Sequence, residues 1–131
     1  MILGIGTDII EISRVKKALQ RPSFLARVYT KQEIAYALSC GAQQAASLAA
    51  RFAGKEAVMK ALGTGLRNGT FKEIEILTDR LGAPLVNLSG GFLAQAKARG
   101  VKRIQLSLSH AREYATAICV MEGNDETTDS R

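Results

Sequence analysis

An α+β domain is the fold class the sequence predicts, with a mostly antiparallel sheet packed against one long helix. Three observations lead there. The periodic segments run strand, helices, hairpin, helix, hairpin, so strands and helices do not alternate as a doubly wound sheet would require. A single long helical stretch occupies roughly Gln44–Leu62, with Gly63 placed to end it. And "RIQLSLS" sets Ile104, Leu106 and Leu108 on one face and Gln105, Ser107 and Ser109 on the other, the period of a half-buried strand.

Taken in order, "MILGIGTDII" is apolar on both faces and predicts a central strand. "EISRVKKALQR" then carries apolar residues at helical spacing (Ile12, Val15, Leu19), and Pro22 stops it. "TKQE" has the Thr-x-x-Glu form of a capping box, so Thr30 starts a helix with Glu33 reaching back. After the long helix, "FKEIEIL" alternates as a strand, "DRLGAP" turns, and "PLVNL" supplies the partner of a hairpin. "GGFLAQAKARG" predicts a short helix, and "EYATAICVM" a last strand, again apolar on both faces. No repeat, linker or low-complexity segment interrupts the chain. A single domain over residues 1–121 is expected, followed by an acidic tail, 122–131, without apolar residues and expected to be disordered.

Composition bounds the function. With 131 residues the chain can bury a core. Hydrophobic residues make up 47% and charged residues 23%, which excludes a disordered chain. Cys40 and Cys119 are far apart, outside any CxxC spacing, as expected of reduced thiols in a cytoplasmic protein. The longest uncharged stretch, residues 34–50, is short and polar for a membrane span, so no membrane is expected. A net charge of +6 favours an anionic partner. That charge is concentrated: between residues 12 and 31 stand Arg14, Lys16, Lys17, Arg21, Arg27 and Lys31, without one acid.

Two acids stand where the pattern is apolar. Asp8 lies inside "GTDII", and buried aspartates are paired, capping or metal-bound. It either caps the next helix or binds a cation. Glu56, in "RFAGKEAVMKALGTG", borders an apolar stripe between Phe52 and Met59. It is either the partner of Lys60 at i, i+4 or a ligand. Two carboxylates suit magnesium, which also takes substrate phosphates and waters, and Arg51, Lys55 and Lys60 around such a site would suit a diphosphate. Lys60 would polarise a phosphoryl oxygen or help deprotonate a hydroxyl. Gly63 and Gly65 would admit a phosphate near the backbone, although a helix cap is the simpler reason for Gly63. His110, the only histidine, ends the strand that carries Ser107 and Ser109, hydroxyls that suit a phosphate or ribose.

Three blocks, "GIGTDIIEISR", "RFAGKEAVMKALGTG" and "LSLSHAREYATA", occur in this order and resemble the small bacterial phosphopantetheinyl transferases, the holo-(acyl-carrier-protein) synthase family. The resemblance spans Met1 to about Met121 and extends to "TKQE" and the Gly82–Pro84 turn. It implies transfer of the phosphopantetheine arm of coenzyme A to a serine of apo acyl carrier protein, with adenosine 3′,5′-bisphosphate leaving, as a step serving fatty acid biosynthesis. It implies Mg²⁺ held by Asp8 and Glu56, with Glu56 and Lys60 catalytic. Lys60, Glu56 or a water on the metal would take the serine proton. Coenzyme A would be bound by Arg51, Lys55, Lys60, Gly63, Gly65, Pro84, Ser109 and His110, with Arg51 and His110 at the phosphorylated adenosine end. Arg14, Lys17, Arg21 and Arg27 would dock the acidic carrier protein, and a homotrimer would put each active site at a subunit boundary. The other function class considered is a small basic nucleic-acid-binding module. The scarcity of aromatic residues (5%) argues against it, because single-stranded nucleic acid is held by stacking.

Overall fold

The computed structural model describes residues 1–67 and 69–125. Strand β1 (Ile2–Glu11) leads into helices α1 (Ile12–Ala18), α2 (Pro22–Val28) and α3 (Lys31–Ser39), then the long α4 (Gln44–Leu62). Strands β2 (Ile74–Thr78) and β3 (Pro84–Leu88), helix α5 (Gly90–Ala98) and strands β4 (Arg103–His110) and β5 (Tyr114–Glu122) complete the order. All strand pairs are antiparallel, in a three-stranded sheet ordered β1-β5-β4 and a separate β2-β3 hairpin.

Helix α4 is the axis of the molecule, because small residues on several sides let neighbours come close. Ala53, Ala57, Ala61 and Met59 pack against the inner side chains of β5 (Ala117, Cys119, Met121), with Phe92 of α5 in the same core. A second core forms where Val15, Val28, Tyr29 and Ala37 meet Leu48, Ala49 and Ala50. Gly63 ends α4 in the left-handed conformation at φ 76°, and its N–H donates to the Met59 and Lys60 carbonyls. At the start of α3 the capping box is complete. The Glu33 N–H donates to Thr30 Oγ1 at 3.2 Å and the Thr30 N–H to Glu33 Oε1 at 2.9 Å.

Three expectations change. β1 is an edge strand of its sheet, not a central one. Its inner face is pressed on α4 through Gly4 and Gly6, while Ile5 and Ile9 stand 58% and 63% exposed on the other face. An apolar pattern on both faces does not separate a central strand from an edge strand with an apolar outer face. Pro22 begins a further helix, α2, as its first residue, where the missing N–H costs nothing. The final strand runs through Glu122, one residue beyond the expected boundary, and the Gly123 N–H donates to the Met1 carbonyl at 2.8 Å. Of the expected tail, residues 126–131 lie outside the described residues.

Candidate active site

The first cluster forms where β1 crosses α4. A Cβ on Gly4 or Gly6 would collide with the Ala61 or Ala57 carbonyl, so only glycine lets strand and helix approach this closely. That approach carries Asp8 against the outer end of α4. Lys60 Nζ donates to Asp8 Oδ1 at 3.1 Å and to the Thr7 carbonyl at 3.0 Å. Both bland alternatives for the acids fail here. Asp8 lies within β1, opposite Ala117, and α1 begins after Glu11 without a side-chain cap. Glu56 makes no ion pair with Lys60, whose ammonium turns to Asp8 instead.

Glu56 is half-buried and has no hydrogen bond or ion pair among the described residues. Burial raises its pKa above the usual carboxylate value, the negative charge of Asp8 raises it further, and Lys60 opposes both. Two carboxylates that feel each other, with one exposed lysine to offset them, form a corner short of positive charge. A divalent cation between them would supply it, so the residues present fit magnesium. Among the described residues no cluster of three or more metal-ligating side chains occurs, so such an ion would depend on Asp8 and Glu56 plus ligands from substrate and water. Beside this corner a hollow of about 610 Å³ is lined by Thr7, Asp8, Lys60, Ser107, Ser109 and Thr116.

The second cluster lies further back on α4. Arg51, Tyr36, Thr78, Gly82, Pro84 and His110 line a cleft of about 230 Å³. Arg51 is only 4% exposed. Its Nε donates to the Ile76 carbonyl at 3.1 Å, Nη1 to Ser47 Oγ at 3.2 Å and Nη2 to Thr78 Oγ1 at 2.7 Å. The guanidinium also lies over the Tyr36 ring, 4.5 Å from its centre. Ser109 and His110 are neighbours on β4, yet strand alternation sends Ser109 to the hollow and His110 to the cleft.

The third cluster is a groove of about 610 Å³ with cationic walls and an apolar floor. Arg14, Lys17 and Arg21 border it over Ile10, Phe24 and Phe52. Arg27, on the last turn of α2, is exposed away from the groove.

Lys55 is a correction. Its side chain is fully enclosed, and its three donors go to Glu33 Oε1 at 2.9 Å, the Phe71 carbonyl at 3.0 Å and the Ile74 carbonyl at 2.6 Å. None is left for a ligand, so Lys55 does not bind coenzyme A directly. A helical lysine points outward or inward depending on what packs on it, and the residues that enclose Lys55 come from distant segments. Gly63, at φ 76°, caps α4, Gly65, at φ 60°, lies in the turn that follows, and neither lines any of the three concavities. No motif in the sequence marks Tyr36 and Thr78, whereas "GIG" inside a strand is a usable signal of the close backbone approach at Gly4 and Gly6.

The sequence matches the 4′-phosphopantetheinyl transferase superfamily over residues 4–119. It is 49% identical to the holo-[acyl-carrier-protein] synthase of Clostridium tetani over 124 residues, which cover 94% of this chain and 98% of that one. The fold is similar to the crystal structure of the holo-[acyl-carrier-protein] synthase of Neisseria meningitidis, with a TM-score of 0.84, 34% identity and coverage of 93% and 99% of the two chains. It is also similar to a holo-(acyl-carrier-protein) synthase from Bacillus anthracis in complex with CoA (3′,5′-ADP), with a TM-score of 0.80, 36% identity and coverage of 95% and 99%.

Proposed function

The chain belongs to the holo-(acyl-carrier-protein) synthase family of 4′-phosphopantetheinyl transferases, and from that premise we propose how its residues carry out the transfer. Coenzyme A is the substrate and apo acyl carrier protein the acceptor. The serine oxygen of the carrier attacks the phosphorus that bears the pantetheine arm. The bond from that phosphorus to the bridging oxygen breaks, and adenosine 3′,5′-bisphosphate leaves.

The observation that carries this reading is the meeting of Asp8, Glu56 and Lys60, with Asp8 and Lys60 52 residues apart in sequence. Asp8 and Glu56 would hold Mg²⁺. Bound there, the ion would act as a Lewis acid, offsetting charge on the diphosphate and on the departing phosphate. Lys60, exposed and adjacent, holds a diphosphate oxygen and steadies negative charge as the bond breaks. The proton of the attacking serine goes to Glu56, Lys60 or a water in this corner. Positioning and electrostatics dominate this class of transfer, so the protein need not supply a nucleophile.

The adenosine end belongs in the Arg51 cleft, with His110 and Pro84 on its walls, and Ser109 serves the diphosphate side. Arg51 and Lys60 sit about 13 Å apart along α4 at 1.5 Å per residue, and the hollow and the cleft open on opposite faces of β4. This division favours an active site completed by a second copy, and a homotrimer is the assembly we propose. The outer sheet face supports it: Ile5, Ile9 and Ile118 are 58%, 63% and 45% exposed beside the hollow. Arg14, Lys17 and Arg21 meet the acidic carrier protein, with Arg27 contributing at longer range. A single domain, residues 1–121 plus the last residue of β5, holds all of this. The product serves fatty acid biosynthesis, and we place the enzyme in the cytoplasm. Among the described residues no helix is long and apolar enough to cross a membrane.

The nucleic-acid alternative has less support. The half-buried rings of Phe24 and Phe52 pack tilted at 6.0 Å between ring centres, and those of Phe52 and Phe71 stack at 5.4 Å, so each is engaged by another ring rather than standing free for a base. The test is intact-mass spectrometry of an apo acyl carrier protein incubated with the enzyme, coenzyme A and Mg²⁺, with and without EDTA. A gain of one phosphopantetheine, lost with EDTA, is the expected result. No gain with several carrier proteins and folded enzyme would overturn the reading.

A further inference from the structure

We propose that the buried Glu33–Lys55 pair is a positioning device for the Arg51 cleft, fixing the β2-β3 hairpin against α4 so that the cleft can seat the adenosine end of coenzyme A. The inference rests on the reading of that cleft given above.

Among the described residues no strand ladder joins the hairpin to the main sheet, and charged side chains tie it to the helices instead. In an antiparallel pair, a residue sends both backbone groups toward its partner strand or both away. Ile76 sends both away from β3. Its N–H donates to Glu33 Oε2 at 2.8 Å and its carbonyl accepts from Arg51 Nε at 3.1 Å. Beside it the Ile74 carbonyl accepts from Lys55, and beyond it Thr78 Oγ1 accepts from Arg51. Three charged side chains thus occupy the edge of β2 where another strand would pair. Arg51 and Lys55, at i and i+4, grip it from one face of α4, and Glu33 grips it from α3.

Every polar atom of the pair is used. Glu33 Oε1 accepts from the Thr30 N–H and from Lys55 Nζ, Oε2 accepts from the Ile76 N–H, and Lys55 Nζ donates to two further carbonyls. Both side chains are fully buried. Replacing such a pair with apolar residues of similar volume is often neutral or stabilising. A buried pair is therefore weak evidence for stability, and its geometry suggests another task. Glu33 and Tyr36 lie one helical turn apart on α3, so the bond that docks α3 on β2 also sets the Tyr36 ring over the Arg51 guanidinium. The hairpin in turn carries Gly82 and Pro84 to the cleft wall. A shift of the hairpin by about 1 Å would move three walls of the cleft at once, and misplacement on that scale can cost about 10² in a bound geometry.

The test is the double variant Glu33→Gln/Lys55→Met, which removes both charges and leaves neither unpaired. Its folding is checked by circular dichroism, its affinity for adenosine 3′,5′-bisphosphate by calorimetry, and its KM for each substrate by transfer assay. The expected result is a folded protein whose affinity for the bisphosphate falls about tenfold or more, with KM for coenzyme A rising in step and KM for carrier protein within about twofold of wild type. A folded double variant that binds the bisphosphate as wild type does, or that loses both substrates equally, overturns the inference. Should the double variant not fold, Glu33→Asp keeps the charge but shortens the arm that spans Lys55 and Ile76, and the same split, or its absence, decides. His110→Ala separates the adenosine site itself from the pair that positions it. If it weakens bisphosphate binding and the pair variants do not, only the positioning role falls. If it leaves binding unchanged, the cleft is not the adenosine site and the inference falls with that reading.

Discussion

Glu56 is a half-buried carboxylate beside Asp8 and Lys60. Its folded pKa is raised, first by burial and then by Asp8. At low pH both folded and unfolded chains are protonated there, and the group contributes nothing. As pH rises past the ordinary carboxylate range of about 4, the unfolded chain releases its proton first, so the fold loses stability until the folded pKa is passed. Glu56→Gln should therefore unfold at the same temperature as wild type, or higher, in EDTA at pH 7. Added Mg²⁺ should raise the midpoint of the wild type and leave the variant unmoved. Thermal unfolding checks both. A variant clearly less stable than wild type in EDTA would mean that Glu56 stabilises the fold through Lys60. That Asp8 and Glu56 need a reason was legible, because acids inside apolar patterns are costly, but their meeting beside Lys60 depends on how β1 crosses α4. Lys55 was not legible: one position from Glu56 on the same helix, it belongs to the interior, and only the arrival of Phe71 and Ile74 makes it so.

Elements whose signals are local read well. The capping box at Thr30, the span of α4 and the alternation of β4 each depend on neighbouring residues, and all appear as expected. The edge position of β1 and the helix begun by Pro22 depend on what packs where, which periodicity does not carry. The contact between β1 and α4 decides the site, because it carries Asp8 to Lys60. Gly6→Ala would force the strand off the Ala57 carbonyl, costing about 1–3 kcal/mol of stability by overpacking. Transfer activity should fall further than stability explains, since Asp8 moves with the strand. Unfolding midpoints and rates measured together would check this. A Gly6→Ala enzyme with wild-type rates would detach the active site from the strand–helix approach.

The whole molecule offers two surfaces for partners. The outer face of the sheet carries Ile5, Ile9 and Ile118, and a charge at its centre should be incompatible with burial between copies. Ile9→Asp is expected to sediment as a monomer and to lose transfer activity, and the wild type is expected to sediment as a trimer. A wild-type monomer with full activity would rule out the shared site. On the opposite side of β1, Arg14→Ala should raise KM for the carrier protein roughly two- to fivefold at low salt, less at high salt, and leave KM for coenzyme A alone. An equal rise in both would dismiss the groove as a docking surface. The basic stretch behind this surface was legible as charge; the apolar floor of Phe24 and Phe52 appears only when α1, α2 and α4 come together.

The decisive measurement is the rate of phosphopantetheine transfer against Mg²⁺ concentration, for wild type and Glu56→Gln, followed by intact mass of the carrier protein. The wild type should show a saturating dependence and the variant a rate lower by about 10²–10³ at every concentration, the loss of several kcal/mol of charge stabilisation. A Glu56→Gln enzyme with a near-normal rate and the same Mg²⁺ dependence would contradict the role of Glu56 as a metal ligand.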